Sequence, residues 1–293
     1  MNQLDSLIES LRAPSGGAIS KTALKHLGFF SCANRLDIKH LPFYEPCIIL
    51  VLSGRKVLFE GQTPVVCEAG AVMTVPGPSS HDLRNEPDPR TKRFRALLIP
   101  FKTEHLERLI RNYGLVHEVP YKPVGILKFA PDEELNASIT HYLTSDGNPK
   151  LFTHRLLEIL LVLATRNPAL LAYVLQQGGW SGRVRALLSS DLAHTWDIGD
   201  VCGQLATTES TLRRNLKRED TGFREILQDL RLTTALMQLL QTPSPINRIA
   251  YDCGYQSVSR FTSNFHKRFG VPPSQVRTAV NESEHILPGI GQA

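Results

Sequence analysis

Two kinds of hydrophobic pattern divide the chain. From residue 19 to about 101, short apolar runs alternate with Gly and Pro, as in "CIILVLSGRKVLFEG" (47–61) and "TPVVCEAGAVMTVPGP" (63–78). Short strands separated by turn residues at this spacing are typical of a β-sandwich or a small barrel. From about residue 102 the apolar residues recur every three or four positions, which predicts helices. The sequence therefore predicts an α+β protein, with a β-rich part followed by a helical part.

The helices predicted between residues 102 and 177 include one strongly apolar segment, "LFTHRLLEILLVLA" (151–164). Such a helix is either buried against the barrel of its own subunit or forms a dimer seam, and the pattern supports both interpretations. Polar residues and Pro168 interrupt this region, so no stretch reaches the roughly 18–20 apolar residues that span a bilayer. We therefore expect no membrane segment, and we predict a hinge at Gly178 and Gly179.

The last third of the chain is predicted to be helical in short pieces, at roughly 181–194, 198–205, 209–219, 223–241, 245–252, 257–269 and 273–279. A repeat lies within it, because "DVCGQLATTESTLRRNLKREDTG" (200–222) is similar to "RIAYDCGYQSVSRFTSNFHKRFG" (248–270). Ala206 aligns with Gly254, and Leu212 aligns with Phe261. Each copy has the pattern of a short helix, a tight turn and a longer helix. The sequence predicts two helix-turn-helix motifs, at about 198–219 and 245–269, joined by a linker helix at about 223–241.

The second helix of such a motif lies in the DNA major groove, so its outward side chains must be short or able to form hydrogen bonds. Phe261, Phe265 and Phe269 recur every four residues and are expected to face inward. Arg side chains can read guanine, whereas Lys217 and Lys267 are expected to hold phosphates. The predicted DNA-facing residues are Thr208, Ser210, Thr211, Arg213, Arg214 and Lys217 in the first copy, and Gln256, Ser257, Ser259, Arg260, Ser263, Asn264 and Lys267 in the second.

The charge distribution limits this interpretation. The 293 residues carry a net charge of +5, and residues 181–280 hold 13 Lys/Arg and 9 Asp/Glu. Because the helical part is not broadly basic, the DNA interpretation depends on where the charges lie.

The five Cys form no CxxC pair, which predicts reduced, buried thiols. The N-terminal "MNQLDSLIESLR" lacks the basic start and apolar run of a signal peptide, so we expect a cytoplasmic location.

The second copy and the segment after it contain a distinctive series of residues: Ile249-Ala250, Gly254-Tyr255, Ser257-Val258-Ser259-Arg260-Phe261, Phe265-His266, Gly270 and Pro273-Ser274-Gln275-Val276-Arg277. With these residues, the segment 180–280 resembles the DNA-binding domain of AraC/XylS-type transcription regulators. The resemblance covers about a third of the chain. It implies that Ser210, Arg213 and Arg214 read bases in the first copy, and that Ser259, Arg260 and Ser263 do so in the second.

The N-terminal part looks like the cupin-type barrel of such regulators, because "GAVMTVPGPSSHDLRN" (70–85) follows the second cupin motif. The resemblance implies a domain at 1–178 for effector binding and dimerisation, a DNA-binding domain at 180–280 and a flexible tail at 281–293. The implied partners are double-stranded promoter DNA, RNA polymerase, a second copy in a homodimer, and a small-molecule effector or regulatory protein at the barrel. The resemblance also implies that the protein is an activator of transcription.

Two alternatives remain open from the residues. A metal-dependent cupin enzyme with an appended DNA-binding domain would use His40, Glu45 and His81, but Pro42 stands where the second His of an HxH pair is needed. We therefore expect no enzyme activity and no cofactor. The second alternative is control by a partner protein instead of a small ligand. Five basic residues are candidates for an anionic ligand, although solvated surface is expected for each: Lys21, Lys25, Lys39, Arg55 and Lys56.

Overall fold

The computed structural model describes residues 27–118, 120, 124–145, 148–175 and 179–281. It divides the chain into two compact units, with the main boundary between Gln177 and Gly178. Gly178 of the predicted hinge, Lys21, Lys25 and the predicted tail from residue 282 onward lie outside the described residues.

Two antiparallel sheets form the N-terminal unit. The five-stranded sheet has the order β1-β8-β3-β6-β9, and the four-stranded sheet has the order β2-β7-β4-β5. The strands are β1 (Gly28–Cys32), β2 (Leu36–Phe43), β3 (Cys47–Ser53), β4 (Arg55–Glu60), β5 (Thr63–Glu68), β6 (Val72–Val75), β7 (Ser79–Glu86), β8 (Phe94–Pro100) and β9 (Leu127–Phe129).

Helices cover one face of the five-stranded sheet, and this explains the unbroken apolar run of β3. Strands that are buried on both faces lose the usual alternation of apolar and polar residues. Ile48 and Leu50 of β3 belong to a core shared with the helices, and Ile49 and Val51 between them are also buried. The helices of this unit are α1 (Thr103–Tyr113), α2 (Glu133–Thr144) and α3 (Pro149–Arg166), followed by a 3-10 segment (Pro168–Leu175).

Helix α3 contains the apolar segment for which two roles were open. Its residues Leu156, Ile159, Leu160 and Leu163 are buried in the core of their own unit. Burial against its own barrel is therefore the role that the structure shows, and most of the predicted dimer seam is already covered. Among the described residues no single helix is long and apolar enough to cross a membrane. Only α3 taken together with the 3-10 segment passes that test, across a bend of 114°.

Lys56 lies inside the N-terminal unit, contrary to the expectation of a solvated side chain. It is 6% exposed, and it stands between Cys67 of β5 and Asn85 of β7 in the strand register. Its Nζ donates a hydrogen bond of 2.9 Å to Asn85 Oδ1 and lies 5.6 Å from the centre of the Phe94 ring. Burial lowers the pKa of Lys56 to about 8, although the nearby cysteines oppose this.

We predict that the stability of the N-terminal unit rises between pH 8 and pH 10.5 because of Lys56. The unfolded chain holds this proton up to about its ordinary pKa of 10.5, whereas the folded unit releases it near 8. The unfolded state therefore binds more protons in this range, which favours the folded state as the pH rises. A separation of roughly 2.5 between the two pKa values corresponds to about 3 kcal/mol.

The measurement is urea unfolding at several pH values, followed by a brief thiol-labelling pulse at the buried Cys32 and Cys47. Lys56→Met is the matched variant, because it keeps the length of the side chain and removes the titrating group. The wild-type protein should gain stability relative to Lys56→Met as the pH rises. A difference that is independent of pH would contradict the burial of a titrating Lys56.

From residue 179 to residue 281, the described chain forms helices joined by short loops and contains no strand. The first predicted helix, 181–194, is too long, because the helix ends at Leu188. Asp191 then organises a loop, since its Oδ1 accepts hydrogen bonds from the N–H groups of Ala193 and His194. The helices are α4 (Trp180–Leu188), α5 (Ile198–Gln204), α6 (Glu209–Arg218), α7 (Phe223–Gln241), α8 (Ile246–Asp252), α9 (Val258–Phe269) and α10 (Pro273–Asn281). The two units together confirm the predicted α+β fold class.

Candidate nucleic-acid interface

A row of three phenylalanines holds α9 in the C-terminal unit. Phe261, Phe265 and Phe269 are fully buried, and consecutive ring centres lie 5.5 Å and 4.8 Å apart. The four-residue spacing places them on one face of the helix. The opposite face of α9 is left to small polar and basic side chains, so the aromatic anchoring and the exposed surface are separated on one short helix.

The first motif has the same construction with aliphatic residues. Leu212 and Leu216 of α6 are buried at positions equivalent to those of Phe261 and Phe265. The turns also correspond, because Ala206 has φ of +48° and Gly254 has φ of +78°. Left-handed backbone is readily adopted by Gly and is strained for Ala. The two copies of the predicted repeat therefore form two helix-turn-helix motifs, and α7 joins them.

The predicted residues of the first motif lie at the start of α6 and along its exposed face. Thr208 is the N-cap, and its Oγ1 accepts a hydrogen bond of 3.3 Å from the Thr211 N–H. Its hydroxyl also contacts those of Ser210 and Thr211, at 3.1 Å and 2.9 Å. Thr211 is partly buried, so its first role is to complete this cap. The exposed members of the set are Thr208, Ser210, Arg213, Arg214 and Lys217.

The predicted residues of the second motif show the same division of roles. Ser257 is the N-cap of α9, with its Oγ 3.4 Å from the Arg260 N–H. Asn264 is partly buried beside the Tyr255 hydroxyl, whose pKa is raised by burial and lowered in part by Asn264. Asn264 is therefore turned more toward the supporting side than toward solvent. The exposed members are Gln256, Ser257, Ser259, Arg260, Ser263 and Lys267.

An ion pair on α6 restricts the position of the Arg213 guanidinium. Its Nε donates a hydrogen bond of 2.8 Å to Glu209 Oε1, one turn earlier. The pair holds the guanidinium along the exposed face, and Arg213 must leave it before it can form a bidentate contact with guanine. A carboxylate at this position can itself accept a hydrogen bond from the amino group of cytosine. Glu209 was missing from the predicted set, although its position four residues before Arg213 is a visible signal.

A second carboxylate that the sequence did not single out connects the end of α6 to the start of α4. Glu219 accepts hydrogen bonds from the N–H groups of Trp180 and Ser181, at 2.7 Å and 2.9 Å. Burial alone would raise the pKa of Glu219, but the bonds to Ser181 and Trp180 and the nearby Arg185 lower it overall. The first turn of α4 is thereby capped by a residue 38 positions away, which fixes the first motif to the beginning of the unit.

The residues of the metal-enzyme alternative are not assembled into a site. Both ring nitrogens of His81 are engaged, with Nδ1 3.2 Å from the Phe59 carbonyl oxygen and Nε2 3.1 Å from Ser79 Oγ. Within the part of the chain that the structure describes, no three His, Cys, Asp or Glu side chains lie close enough together to hold a metal ion. His40, Glu45 and His81 therefore form no such group.

Two family models match the chain, and they divide it in the same way as the two units. The model described as a helix-turn-helix domain matches residues 201–279, and the model described as the ExsA N-terminal regulatory domain matches residues 46–173. The first match begins within α5 and covers the rest of the first motif, the linker helix and the whole second motif. The predicted resemblance to AraC-type regulators is confirmed by these two matches.

Curated relatives match the chain through the C-terminal unit. The HTH-type transcriptional regulator YdeO of Shigella flexneri is 42% identical over 96 residues, which are 33% of this chain and 38% of that protein. The DNA-binding dual transcriptional regulator Rns of Escherichia coli is 34% identical over 106 residues, which are 36% and 40% of the two chains. The chain thus matches about two fifths of the length of these relatives.

The fold of both units is also found in ToxT from Vibrio cholerae. That structure covers 87% of this chain and 98% of its own, with a TM-score of 0.64 and 15% sequence identity. At this identity the likeness concerns the fold. It shows that a double-sheet N-terminal unit and a double helix-turn-helix unit occur together in another protein.

Proposed function

We propose that this protein is a sequence-specific, DNA-binding transcription regulator of the AraC type, and that it inserts α6 and α9 into successive segments of the major groove. The observation that carries the proposal is the construction of these two helices. Each is anchored by buried apolar residues on one face and presents short polar and basic side chains on the other. The relatives YdeO and Rns, which match over this unit, are named as transcriptional regulators.

The direct test is selection of binding sites from random double-stranded DNA by the full-length protein, followed by affinity measurements on the selected sequence. We expect the selected DNA to be bound about 1,000-fold or more tightly than a scrambled duplex at physiological salt. Equal affinity for the selected and scrambled duplexes would overturn the proposal of sequence-specific binding.

Lys267 is proposed to hold a phosphate, and this gives a separate prediction. Lys267→Ala should weaken binding to selected and scrambled DNA by the same factor, because phosphate contacts carry no sequence information. The slope of log K against log salt should become shallower by about 1. Lys150→Ala is the control, since Lys150 is an exposed lysine on α3 of the other unit. A loss confined to the selected sequence would show instead that Lys267 reads a base.

The N-terminal unit is proposed to control the DNA-binding unit, in a cytoplasmic homodimer that contacts RNA polymerase and acts as an activator. The match to the ExsA N-terminal regulatory domain supports a regulatory role, and a relative named as the activator CfaD, 33% identical over 106 residues, supports activation. One solved form of ToxT holds an unsaturated fatty acid, which favours a small-molecule effector. The alternative controller is a partner protein that docks on the barrel.

The two kinds of control are distinguished by native mass spectrometry of the purified protein. A bound small molecule that is released on denaturation, and that changes DNA affinity when added back, supports the effector. DNA affinity that responds only to a co-purifying protein supports the partner. The same spectra give the oligomeric state, and a monomer at micromolar concentration would contradict the proposed homodimer.

A further inference from the structure

One arginine of the linker helix joins parts of both helix-turn-helix motifs. Arg231 lies in the middle of α7, where its Nε donates to the Leu192 carbonyl oxygen and its Nη2 donates to the His194 carbonyl oxygen, each at 3.0 Å. Leu192 and His194 belong to the loop that leads into α5, the first helix of the first motif. The planar fork of a guanidinium fixes two acceptors at once, which a single ammonium cannot do.

The same guanidinium also contacts the turn of the second motif. A Cβ atom built on Gly254 would lie 2.7 Å from Arg231 Cζ and 2.5 Å from the Leu192 carbonyl oxygen. The backbone of Gly254 is therefore packed directly against both groups. Gly254 lies between α8 and α9, so the turn of the second motif and the entry loop of the first meet at the Arg231 side chain.

The surroundings of Arg231 make the junction between the two motifs rigid, where the junction is the contact of Arg231 with Leu192, His194 and Gly254. Burial lowers its pKa, and the nearby Tyr255 and Cys253 act in the opposite direction. A partly buried guanidinium keeps its charge and is costly to leave without acceptors, so its two carbonyl partners are held firmly. Asp191 and Trp196 brace the same loop, because Trp196 Nε1 donates a hydrogen bond of 2.6 Å to the Asp191 carbonyl oxygen.

A further ion pair attaches α9 to the linker helix two residues from Arg231. Arg268 Nε donates a hydrogen bond of 2.7 Å to Asp229 Oδ1, and both side chains are about one quarter exposed. The second motif is thus held to α7 at two points, by Gly254 on Arg231 and by Arg268 on Asp229. Arg231 also bonds the entry loop of the first motif, so this contact connects the two motifs.

We propose that Arg231 is a positioning residue that sets the distance and rotation between α6 and α9, and so determines which spacing between the two DNA segments the protein accepts. This inference rests on the proposed DNA-binding function. Adding one base pair between the segments shifts them by about 3.4 Å and rotates them by roughly 35°. A rigid junction cannot follow that change, whereas a loosened junction can.

The first experiment compares affinities for a selected site with affinities for sites that have one base pair added or removed between the two segments. We expect the wild-type protein to lose about tenfold or more in affinity when the spacing changes. Arg231→Met and Arg231→Lys should reduce that penalty to about threefold or less, with base preferences within each segment unchanged. Arg224→Met is the matched control, because Arg224 is an exposed arginine on the same helix. A spacing penalty in the Arg231 variants equal to that of Arg224→Met would overturn the proposal.

The second experiment needs no DNA, so it separates failure of this inference from failure of the proposed function. Nitroxide labels at Ser210→Cys on α6 and Ser263→Cys on α9 give the distribution of distances between the two helices, and the five native cysteines are buried. A narrow distribution that becomes broader or shifted in Arg231→Met supports the proposal. Distributions that do not differ between Arg231→Met and Arg224→Met would overturn it, whether or not a DNA site is found. Tryptophan fluorescence from Trp180 and Trp196 verifies that each variant is folded.

Discussion

Replacing Phe265 by Ala is expected to lower the free energy of unfolding of the C-terminal unit by about 3–5 kcal/mol. Phe265 is fully buried in the middle of the phenylalanine row, and it contacts Phe261 on one side and Phe269 on the other. Truncation removes both ring contacts and leaves a cavity under the helix. Since the free energy of unfolding of a domain is only about 5–15 kcal/mol, this loss is a large part of it. DNA binding should fall with it, because α9 loses its fixed orientation.

The loss is measured by urea unfolding with tryptophan fluorescence. Both tryptophans of the chain, Trp180 and Trp196, belong to the C-terminal unit, so the signal reports on that unit alone. Ser263→Ala is the control on the exposed face of the same helix, where a change within about 0.5 kcal/mol is expected. If the two variants had the same free energy of unfolding, the assignment of a buried and an exposed face to α9 would be wrong.

Arg260→Ala is expected to weaken binding to the selected DNA sequence by about 1–3 kcal/mol, or roughly fivefold to 150-fold. Arg260 is exposed on the first turn of α9, and no ion pair holds its guanidinium among the described residues. It can therefore reach a guanine without first leaving another partner, unlike Arg213, which is bonded to Glu209. The affinity for scrambled DNA should change little, so the loss should appear as relaxed choice at one base pair.

Competition measurements with duplexes that differ at single positions check this prediction. Arg248→Ala is a suitable control, because Arg248 is a highly exposed arginine of α8 that is paired with Asp252 outside the recognition helix. That variant should weaken all duplexes by a similar, small factor. Base preferences that stay unchanged in Arg260→Ala would show that this residue does not read a base.

Features of the C-terminal unit that depend on local spacing could be predicted from the sequence. The four-residue recurrence of Phe261, Phe265 and Phe269 follows from helical geometry, and it identified the buried face of α9 correctly. The alignment of Ala206 with Gly254 likewise predicted two turns, and both residues have left-handed backbone. The linker helix, predicted at 223–241, has those bounds in the structure.

Features that join distant parts of the chain could not be predicted in this way. Glu219 caps a helix 38 residues away, and Arg231 bonds a carbonyl group 39 residues away. Neither pairing leaves a periodic signal, because each depends on how helices pack in three dimensions. The sequence also could not decide which surface covers the apolar face of α3, since an apolar residue is buried equally well by its own unit or by a partner. Lys56 was assigned to the surface because lysine is rarely buried.

The proposed function requires that α6 and α9 read two different DNA segments, which a parallel selection experiment can detect. Binding sites are selected from random DNA in parallel by the wild-type protein, by Arg213→Ala and by Arg260→Ala. We expect two preferred segments for the wild-type protein. Arg213→Ala should relax the base preference at a position in one segment, and Arg260→Ala should relax it at a position in the other. A single preferred segment, or loss of preference at the same position in both variants, would contradict the proposed function.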